Sequence, residues 1–151
     1  MYYKDLEVYK KSIELVIEIY NIASQFPKDE QFGLVSQIKR AVISIPSNIA
    51  EGSARYSNKD SARFVDIAIG SIAEVDTQLS IAKRLGFVDN IEETYEHIKQ
   101  VNALLLGFKK YLNQNQDKVS EWCKELIKLI LPIKLILLVK INRNELHHLF
   151  A

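Results

Sequence analysis

The chain has 151 residues, which suits one domain or one domain with an appendage, and such a length buries enough surface to fold without a disulfide or a metal. Its 20 basic and 19 acidic side chains give a net charge of only +1, which counts against a protein that coats nucleic acid through a uniform positive field. The single cysteine excludes an intrachain disulfide, and the N-terminus lacks the basic-then-apolar order of a secretory signal. We therefore expect a cytoplasmic protein.

Apolar residues at spacings of three and four predict a first helix from about residue 5 to residue 26. They form two neighbouring stripes, one of Tyr9, Ile13, Val16, Tyr20 and Ala23, the other of Val8, Leu15, Ile19, Ile22 and Phe26. A helix that packs on one core needs a single stripe about 100° wide. The second stripe indicates either a helix embedded deeply in one bundle or a helix that also faces another protomer.

The second predicted helix runs from about residue 29 to residue 51, and the acidic residues in its first turn suit the helix dipole. Pro46 lies inside its apolar pattern. Because proline lacks an amide N–H and clashes with the preceding turn, we expect a kink between Val42 and Pro46. Gly52 is the residue type that commonly follows a helix, so we predict that it ends this one.

Two further helices are predicted between Ser57 and about residue 115. Ser57 with Asp60 resembles a capping box at the start of the third helix, and Gly86 is expected to end it. Asp89 with Glu92 is expected to start the fourth helix in the same way. Because short connections favour antiparallel neighbours, residues 1–115 are predicted to form an all-α, up-down antiparallel four-helix bundle with a kinked second helix.

The composition changes after residue 115. Residues 116–151 carry six basic and four acidic side chains, and the segment Ile-Lys-Leu-Ile-Leu occurs twice there, on either side of Pro132. The run is too short and too interrupted by lysine for a transmembrane helix, which needs about 18–20 apolar residues. We predict a C-terminal apolar extension, for which a helix broken by proline, β-like pairing and disorder all stay open.

Seven polar residues interrupt the apolar pattern of the second and third helices. Ser71, Glu74 and Gln78 share one face of the third helix. A buried carboxylate needs a partner, and Arg40 is the expected partner of Glu74. We predict a polar network or oligomer contact made by Gln37, Arg40, Asn48, Glu51, Ser71, Glu74 and Gln78. A solvated face and acid–base catalysis by the two carboxylates are the alternatives.

No other part of the sequence supplies catalytic chemistry. It has no nucleophile beside a base, no phosphate-binding loop and no Glu-x-x-His pattern on paired helices of the kind that holds a di-iron site. His97 stands alone, and His147 and His148 lie in the extension. Cys123 does not occur in a pattern with His or Asp that would activate its thiol. We therefore predict that the protein is not an enzyme and that it holds no metal and no cofactor.

Positive charge is concentrated around the connection between the second and third helices. Arg55, Lys59 and Arg63 cluster there, with Tyr56 among them. Basic residues beside an aromatic side chain suit single-stranded nucleic acid, because the ring can stack on a base. We predict a nucleic-acid contact at these four residues, with a solvated loop as the alternative. A ring-shaped oligomer would repeat the patch around one rim.

Three stretches of the sequence carry a resemblance to a known family. Residues 32–41 (FGLVSQIKRA), 44–52 (SIPSNIAEG) and 64–79 resemble bacterial four-helix-bundle proteins encoded by intervening sequences within 23S rRNA genes. With residues 5–9 included, the resemblance covers about residues 3–115. It implies a homo-oligomer, with a pentameric barrel as the best-known form. The family also includes the accessory proteins of diversity-generating retroelements, which associate with a reverse transcriptase and nucleic acid and, unlike this chain, are strongly basic.

Two hypotheses for the function follow. The first is a non-enzymatic, homo-oligomeric helical scaffold with an RNA-linked role, which contacts RNA near Arg55, Lys59 and Arg63. The alternative is a protein–protein interaction module without nucleic-acid contact, which docks through a stripe of the first helix that includes Ile19 and Ile22, and the near-neutral charge favours it. The predicted partners are a second copy of the chain, RNA or another protein, and a membrane partner is not expected.

Overall fold

The computed structural model describes residues 2–115, which contain four α-helices and no strand. The helices are α1 (Glu7–Ala23), α2 (Leu34–Ser53), α3 (Asn58–Arg84) and α4 (Glu92–Gln114), with short 3-10 helices at Tyr3–Asp5 and Lys28–Gln31. α1 packs on α2, α2 on α3, α3 on α4 and α4 on α1. With their short connections, the helices form an up-down antiparallel bundle, so the predicted all-α fold is confirmed.

Aliphatic side chains from all four helices fill the centre of the bundle. The fully buried large residues are Leu15, Ile19, Ile38, Val42, Ile45, Ile49, Val65, Val75, Leu79, Val101 and Leu105. Burying one such side chain contributes about 1.5–3 kcal/mol. This core holds the four helices in place and thereby fixes which side chains reach the surface.

α2 begins at Leu34 rather than near residue 29, because the chain after Pro27 first forms a 3-10 helix. The carboxylate of Glu30 then accepts a hydrogen bond from the amide of Leu34 at 3.0 Å, so an acidic side chain does cap this helix. Pro46 is buried inside α2, and the helix continues past it to Ser53. The predicted kink at Pro46 stays a prediction.

The ends of α3 confirm the predicted caps. The hydroxyl of Ser57 accepts a hydrogen bond from the amide of Asp60 at 3.0 Å and donates one to the Asp60 carboxylate at 2.7 Å. At the other end Gly86 adopts a φ of +73°, and the amide of Phe87 donates to the carbonyl of Ala82 at 3.0 Å. This is a Schellman motif, in which glycine takes the left-handed conformation that other residues avoid.

Gly52 does not end α2 as predicted, because it lies within the last turn of the helix and is buried. A Cβ atom at this position would lie 3.0 Å from the Cβ of Phe64 and 3.1 Å from the carbonyl oxygen of Ser61. The hydroxyl of Ser61 also donates to the carbonyl of Gly52 at 2.8 Å. Glycine therefore permits α2 and α3 to approach closely at the end where they are joined.

The predicted start of the fourth helix is also early, since α4 begins at Glu92 and Asp89 lies before it. The division into a bundle over residues 1–115 and an extension over residues 116–151 stays a prediction. The extension, with Cys123, His147 and His148, lies outside the described residues. None of the helices between residues 2 and 115 is both long and apolar enough to cross a membrane.

Candidate interaction surfaces

An open groove runs between α2 and α3. It has a volume of about 400 Å³ and is lined by Gln37, Arg40, Ala41, Ser44, Ile67, Gly70, Ser71 and Glu74. Because the two helices are antiparallel and adjacent, residues near position 40 lie opposite residues near position 74. The structure thus brings together Gln37, Arg40, Ser71 and Glu74, four of the seven residues predicted as a polar network or oligomer contact. We call this surface the α2–α3 groove.

Hydrogen bonds fix the floor of the α2–α3 groove. The hydroxyl of Ser71 donates to the hydroxyl oxygen of Ser44 at 2.9 Å. The side-chain amide of Asn48 donates to the same oxygen at 2.9 Å and to the carbonyl of Ser44 at 2.7 Å. Ser44 therefore connects two predicted network residues, and sequence reasoning missed it. Its position four residues before Asn48, on the same helix face, was the available signal.

The walls of the groove are more exposed than the predicted network requires. Arg40 and Glu74 are both exposed, and they do not form an ion pair with each other. Glu51 pairs with Arg55 instead. The expected Arg40–Glu74 pair is therefore wrong for the single chain, because an open groove lets water solvate both charges. Gln78 is half-buried, and its Oε1 atom is buried without a hydrogen-bond partner within residues 2–115.

Gly70 lies in the wall of the groove, and the single chain gives no steric reason for a glycine there. A Cβ atom at Gly70 would meet no other atom within 4 Å. Glycine inside a helix destabilises it by roughly 0.5–1 kcal/mol relative to alanine, because the unfolded chain loses more conformational freedom. Packing within the chain explains Gly52 but not Gly70.

The predicted nucleic-acid contact lies where α2 ends and α3 begins. Tyr56 is fully exposed in the connecting loop. The guanidinium of Arg55 lies 4.5 Å from the centre of the Phe64 ring, which is a cation–π distance. Lys59 is exposed in the first turn of α3 and takes part in none of the ion pairs within residues 2–115. The Tyr56 ring and the Lys59 ammonium therefore both face solvent at this end of the bundle.

Acidic neighbours reduce the positive field of this loop end. Arg55 pairs with Glu51, and Arg63 lies 3.5 Å from the carboxylate of Asp60. All four side chains are at least 43% exposed, so these pairs contribute little to stability and salt screens them. They leave Lys59 as the main uncompensated positive charge of the loop.

An exposed apolar surface lies along α1 where this helix adjoins α2. Ile13, Ile17 and Tyr20 follow one another at i, i+4 and i+7 and are 36%, 59% and 38% exposed. The ammonium of Lys39 in α2 lies 4.9 Å from the centre of the Tyr20 ring. Ile43, which is 42% exposed, lies one turn further along the same side of α2. We call Ile13, Ile17, Tyr20 and Ile43 the α1–α2 patch.

The α1–α2 patch is not the docking stripe that the alternative hypothesis assigned to the first helix. Ile19 is completely buried in the core, and Ile22 is half-buried against it. The interpretation of these two residues as a docking surface is therefore wrong. The helical period was read correctly, but two neighbouring stripes left open which of them faces the core.

A polar cluster that the sequence does not indicate joins α1 to α4. The carboxylate of Glu18 accepts a hydrogen bond from the hydroxyl of Thr94 at 2.5 Å and lies 2.7 Å from Nδ1 of His97. Nε2 of His97 is buried without a hydrogen-bond partner in the described part of the chain. Separations of 76 and 79 positions leave no local pattern for sequence reasoning to detect. The cluster links α1 to α4.

A cavity of about 540 Å³ lies between α3 and α4, with Tyr95, Glu92 and Asn102 among the residues that line it. At its edge the ammonium of Lys83 donates to the carboxylate of Glu92 at 2.6 Å. This hydrogen bond lowers the pKa of Glu92 below its ordinary value of 4.5 and raises the pKa of Lys83 above 10.5. Both charges are therefore already paired, and the cavity presents no free acid–base group from this pair.

The sequence and the fold match known proteins. The family model of the 23S rRNA-intervening sequence protein matches residues 4–107. The fold is similar to the crystal structure of a protein of unknown function from the S23 ribosomal protein family of Bacteroides thetaiotaomicron VPI-5482, with 25% sequence identity, a TM-score of 0.64, and coverage of 73% of this chain and 99% of that chain. No curated protein matches the sequence significantly. Because the family model spans most of its length, the chain belongs to the 23S rRNA-intervening sequence protein family.

Proposed function

We propose that the chain is a non-enzymatic helical scaffold that assembles with copies of itself and contacts RNA at the end of the bundle where α2 meets α3. The observation that carries the RNA contact is the full exposure of Tyr56, in a loop whose sequence also holds Arg55 and leads to the exposed Lys59. Membership of a family defined by sequences within 23S rRNA genes supports an RNA-linked role. A gene that lies within an rRNA gene need not encode a protein that binds rRNA, so the binding has to be measured.

Two surfaces that the single chain leaves unfilled support self-assembly. The α1–α2 patch exposes four large apolar side chains, and the α2–α3 groove is open beside it. Clustered apolar exposure on a folded protein commonly marks an interaction site. The pentameric form and the relation to retroelement accessory proteins, both implied by the resemblance, stay predictions.

The chemistry of the loop end suits an unpaired RNA strand. The Tyr56 ring is free to stack on a base, which is worth about 1–3 kcal/mol per base in proteins that bind single strands. One loop with a single uncompensated lysine binds weakly. In an oligomer the loops are repeated on one assembly, so an RNA that reaches several of them binds more tightly by effective concentration.

Fluorescence anisotropy across a salt series tests the RNA contact. The parent protein, an Arg55→Glu/Lys59→Glu/Arg63→Glu variant and a control variant would be titrated with an rRNA fragment that contains an unpaired loop and with an unrelated RNA. The control, Lys28→Glu/Arg84→Glu/Lys99→Glu, makes the same charge change, and its Lys99–Glu96 pair matches the Arg63–Asp60 pair at i, i+3 spacing.

We expect the parent to bind with an affinity whose logarithm falls linearly with the logarithm of the salt concentration, because phosphate contacts release counterions. The loop-end variant should lose binding and the control should retain most of it. Equal losses in both variants would show that only net charge matters and would remove the loop end as the site. Absence of binding by the parent at low salt would end the RNA proposal.

The alternative, a protein-interaction module without nucleic-acid contact, is favoured by one observation. Glu51 and Asp60 partly neutralise the basic loop, whereas the α1–α2 patch is uncompensated apolar surface. This function predicts salt-insensitive capture of a partner protein. Capture should be lost on Ile17→Glu and unaffected by the loop-end variant. The reverse pattern would exclude the α1–α2 patch as the docking surface.

A further inference from the structure

We propose that the cavity between α3 and α4 binds a small organic cation, namely an amine with an apolar body. The cavity has a volume of about 540 Å³, and all the residues that line it belong to these two helices. Cavities that hold small molecules in proteins commonly measure about 300–1,000 Å³. The inference goes beyond the proposed scaffold function, because it depends neither on self-assembly nor on RNA.

The apolar part of the cavity suits a hydrocarbon body. Ile69, Ile72 and Ala73 line it from α3, and Tyr95 and Ile98 line it from α4. A ligand that covers these side chains removes apolar surface from water on both molecules, which favours binding. Apolar lining with a few polar groups is typical of sites that bind small molecules.

Two contacts between α3 and α4 set the register of the helices along the cavity. Nζ of Lys83 lies 2.6 Å from Oε1 of Glu92 near one end, and Nζ of Lys109 lies 2.5 Å from Oδ1 of Asp66 near the other. Because the helices are antiparallel, each step towards the C-terminus of α3 is matched by one step towards the N-terminus of α4. The same register therefore holds across the whole cavity.

Two polar groups without partners lie close together in this register. Asn102 is level with Ala73, and its Oδ1 atom is buried and accepts no hydrogen bond from residues 2–115. Asp76 is three positions beyond Ala73, about 4.5 Å along the helix axis, and it forms no ion pair in the described part of the chain. An ammonium group has three N–H donors and no acceptor, so one such group can donate to both oxygens.

The charges around the cavity favour a cation over an anion. The lining contains three carboxylates and one ammonium, on Asp76, Glu92, Glu96 and Lys99. Lys99 donates to Glu96 at 2.6 Å, and Lys83 donates to Glu92 from the edge. Asp76 is therefore the carboxylate left for a ligand, and the excess of negative charge selects the sign of that ligand.

Ligand-observed NMR with three matched probes tests the proposal on the full-length chain. Benzylamine carries a cation on an apolar ring, benzyl alcohol has the same ring without charge, and benzoate has it with a negative charge. Benzylamine should bind most tightly and benzoate most weakly. Added salt should weaken the binding of benzylamine and leave that of benzyl alcohol unchanged, because only the first depends on charge. Equal affinities for these two probes would contradict a cation site, and absence of binding by all three would contradict a ligand site altogether.

Two pairs of variants locate the binding. Ala73→Phe fills the cavity from an exposed position and should abolish binding, whereas Ala103→Phe, on exposed α4 surface outside the cavity, should retain it. Asp76→Asn should weaken the binding of benzylamine by up to about fivefold, the range of exposed ion pairs. Asp29→Asn, the same change at an exposed residue between α1 and α2, should not. Circular dichroism would verify that each variant is folded, and binding that survives Ala73→Phe would overturn the site.

Asn102→Leu separates a ligand-binding role of the amide from a structural one. Leucine is similar in size and removes the unsatisfied oxygen, so the free variant should unfold at a higher temperature than the parent. The same change should weaken the binding of benzylamine, since the ammonium loses an acceptor. A variant that unfolds at a lower temperature, or that binds benzylamine as tightly as the parent, would overturn the assignment of Asn102 to the ligand.

Discussion

Two glycines at the same helix–helix contact have opposite environments. Gly52 lies where α2 and α3 are joined, and a Cβ atom there would lie 3.0 Å from Phe64. Gly70 lies further along the same pair of helices, in the lining of the α2–α3 groove, where a Cβ atom would meet nothing within 4 Å. At Gly52 the chain's own packing requires glycine. At Gly70 any such requirement has to come from outside the chain.

The contrast extends to the polar groups beside each glycine. Next to Gly52, the Ser61 hydroxyl donates to a backbone carbonyl and is buried. Next to Gly70, Arg40 and Glu74 stay exposed and do not pair with each other. A closed contact satisfies its polar groups within the chain, whereas water solvates the charged groups of an open one. The predictions below separate these two kinds of contact.

The largest effect is expected at the closed end of the contact. Gly52→Val places a branched side chain against Phe64 and Ser61, and overpacking of this kind costs about 3 kcal/mol. Urea unfolding followed by circular dichroism measures the change. Gly70→Val is the matched control and should alter the free energy of unfolding by less than about 0.5 kcal/mol. Similar losses at both glycines would contradict the difference between the two regions.

A second closed contact joins α1 to α4 through Glu18. Glu18→Ala leaves the Thr94 hydroxyl and His97 Nδ1 without their partner and should lower the free energy of unfolding by about 1–2 kcal/mol. Glu14→Ala is the control, because it removes only an exposed pair with Lys11. If both variants unfolded at the same urea concentration, the Glu18 cluster would not stabilise the bundle.

At Gly70, in the open groove, we expect a smaller effect that stabilises the monomer instead of destabilising it. Gly70→Ala should raise the free energy of unfolding of the monomer by roughly 0.5–1 kcal/mol, because alanine favours the helix and nothing obstructs its methyl group. Thermal unfolding at low protein concentration measures this change without assembly. A destabilised monomer would show that Gly70, like Gly52, is required by the chain's own packing.

Sequence reasoning succeeded where a feature depends on neighbours along the chain. The caps of α3 at Ser57 and Gly86 were predictable because their hydrogen bonds join residues only a few positions apart. Gly52 was misassigned because its requirement comes from Phe64, across the interface, and composition alone cannot distinguish a helix end from a close approach.

The candidate surfaces were predictable in part for the same reason. Arg40, Ser71 and Glu74, which the helical period assigned to the polar faces of two helices, line the same groove between α2 and α3. The period could not show that an open groove lies there, so the expected buried pair is instead two exposed charges. The partners of Glu18 and Ser44 on other helices are set by the packing of the bundle, which a single sequence does not display.

The smallest effect concerns the exposed Lys83–Glu92 pair. Because this hydrogen bond lowers the pKa of Glu92, its contribution to stability is present above the pKa of the unfolded chain and is lost as the pH falls through the folded-state pKa. An NMR titration should give Glu92 a pKa below 4.5, and Lys83→Met should return it towards the ordinary value. An unchanged pKa in that variant would exclude Lys83 as the cause.

Photo-crosslinking from the wall of the α2–α3 groove tests most directly whether a second copy occupies it. Photo-leucine would replace Ile67 in the full-length chain, with photo-leucine at Leu106 on α4 as the control. Mixing ¹⁴N- and ¹⁵N-labelled protein identifies the products between chains. We predict that position 67 crosslinks to another copy and that position 106 does not. An assembled protein whose position 67 gives no crosslink between chains would contradict a role of the groove in self-assembly.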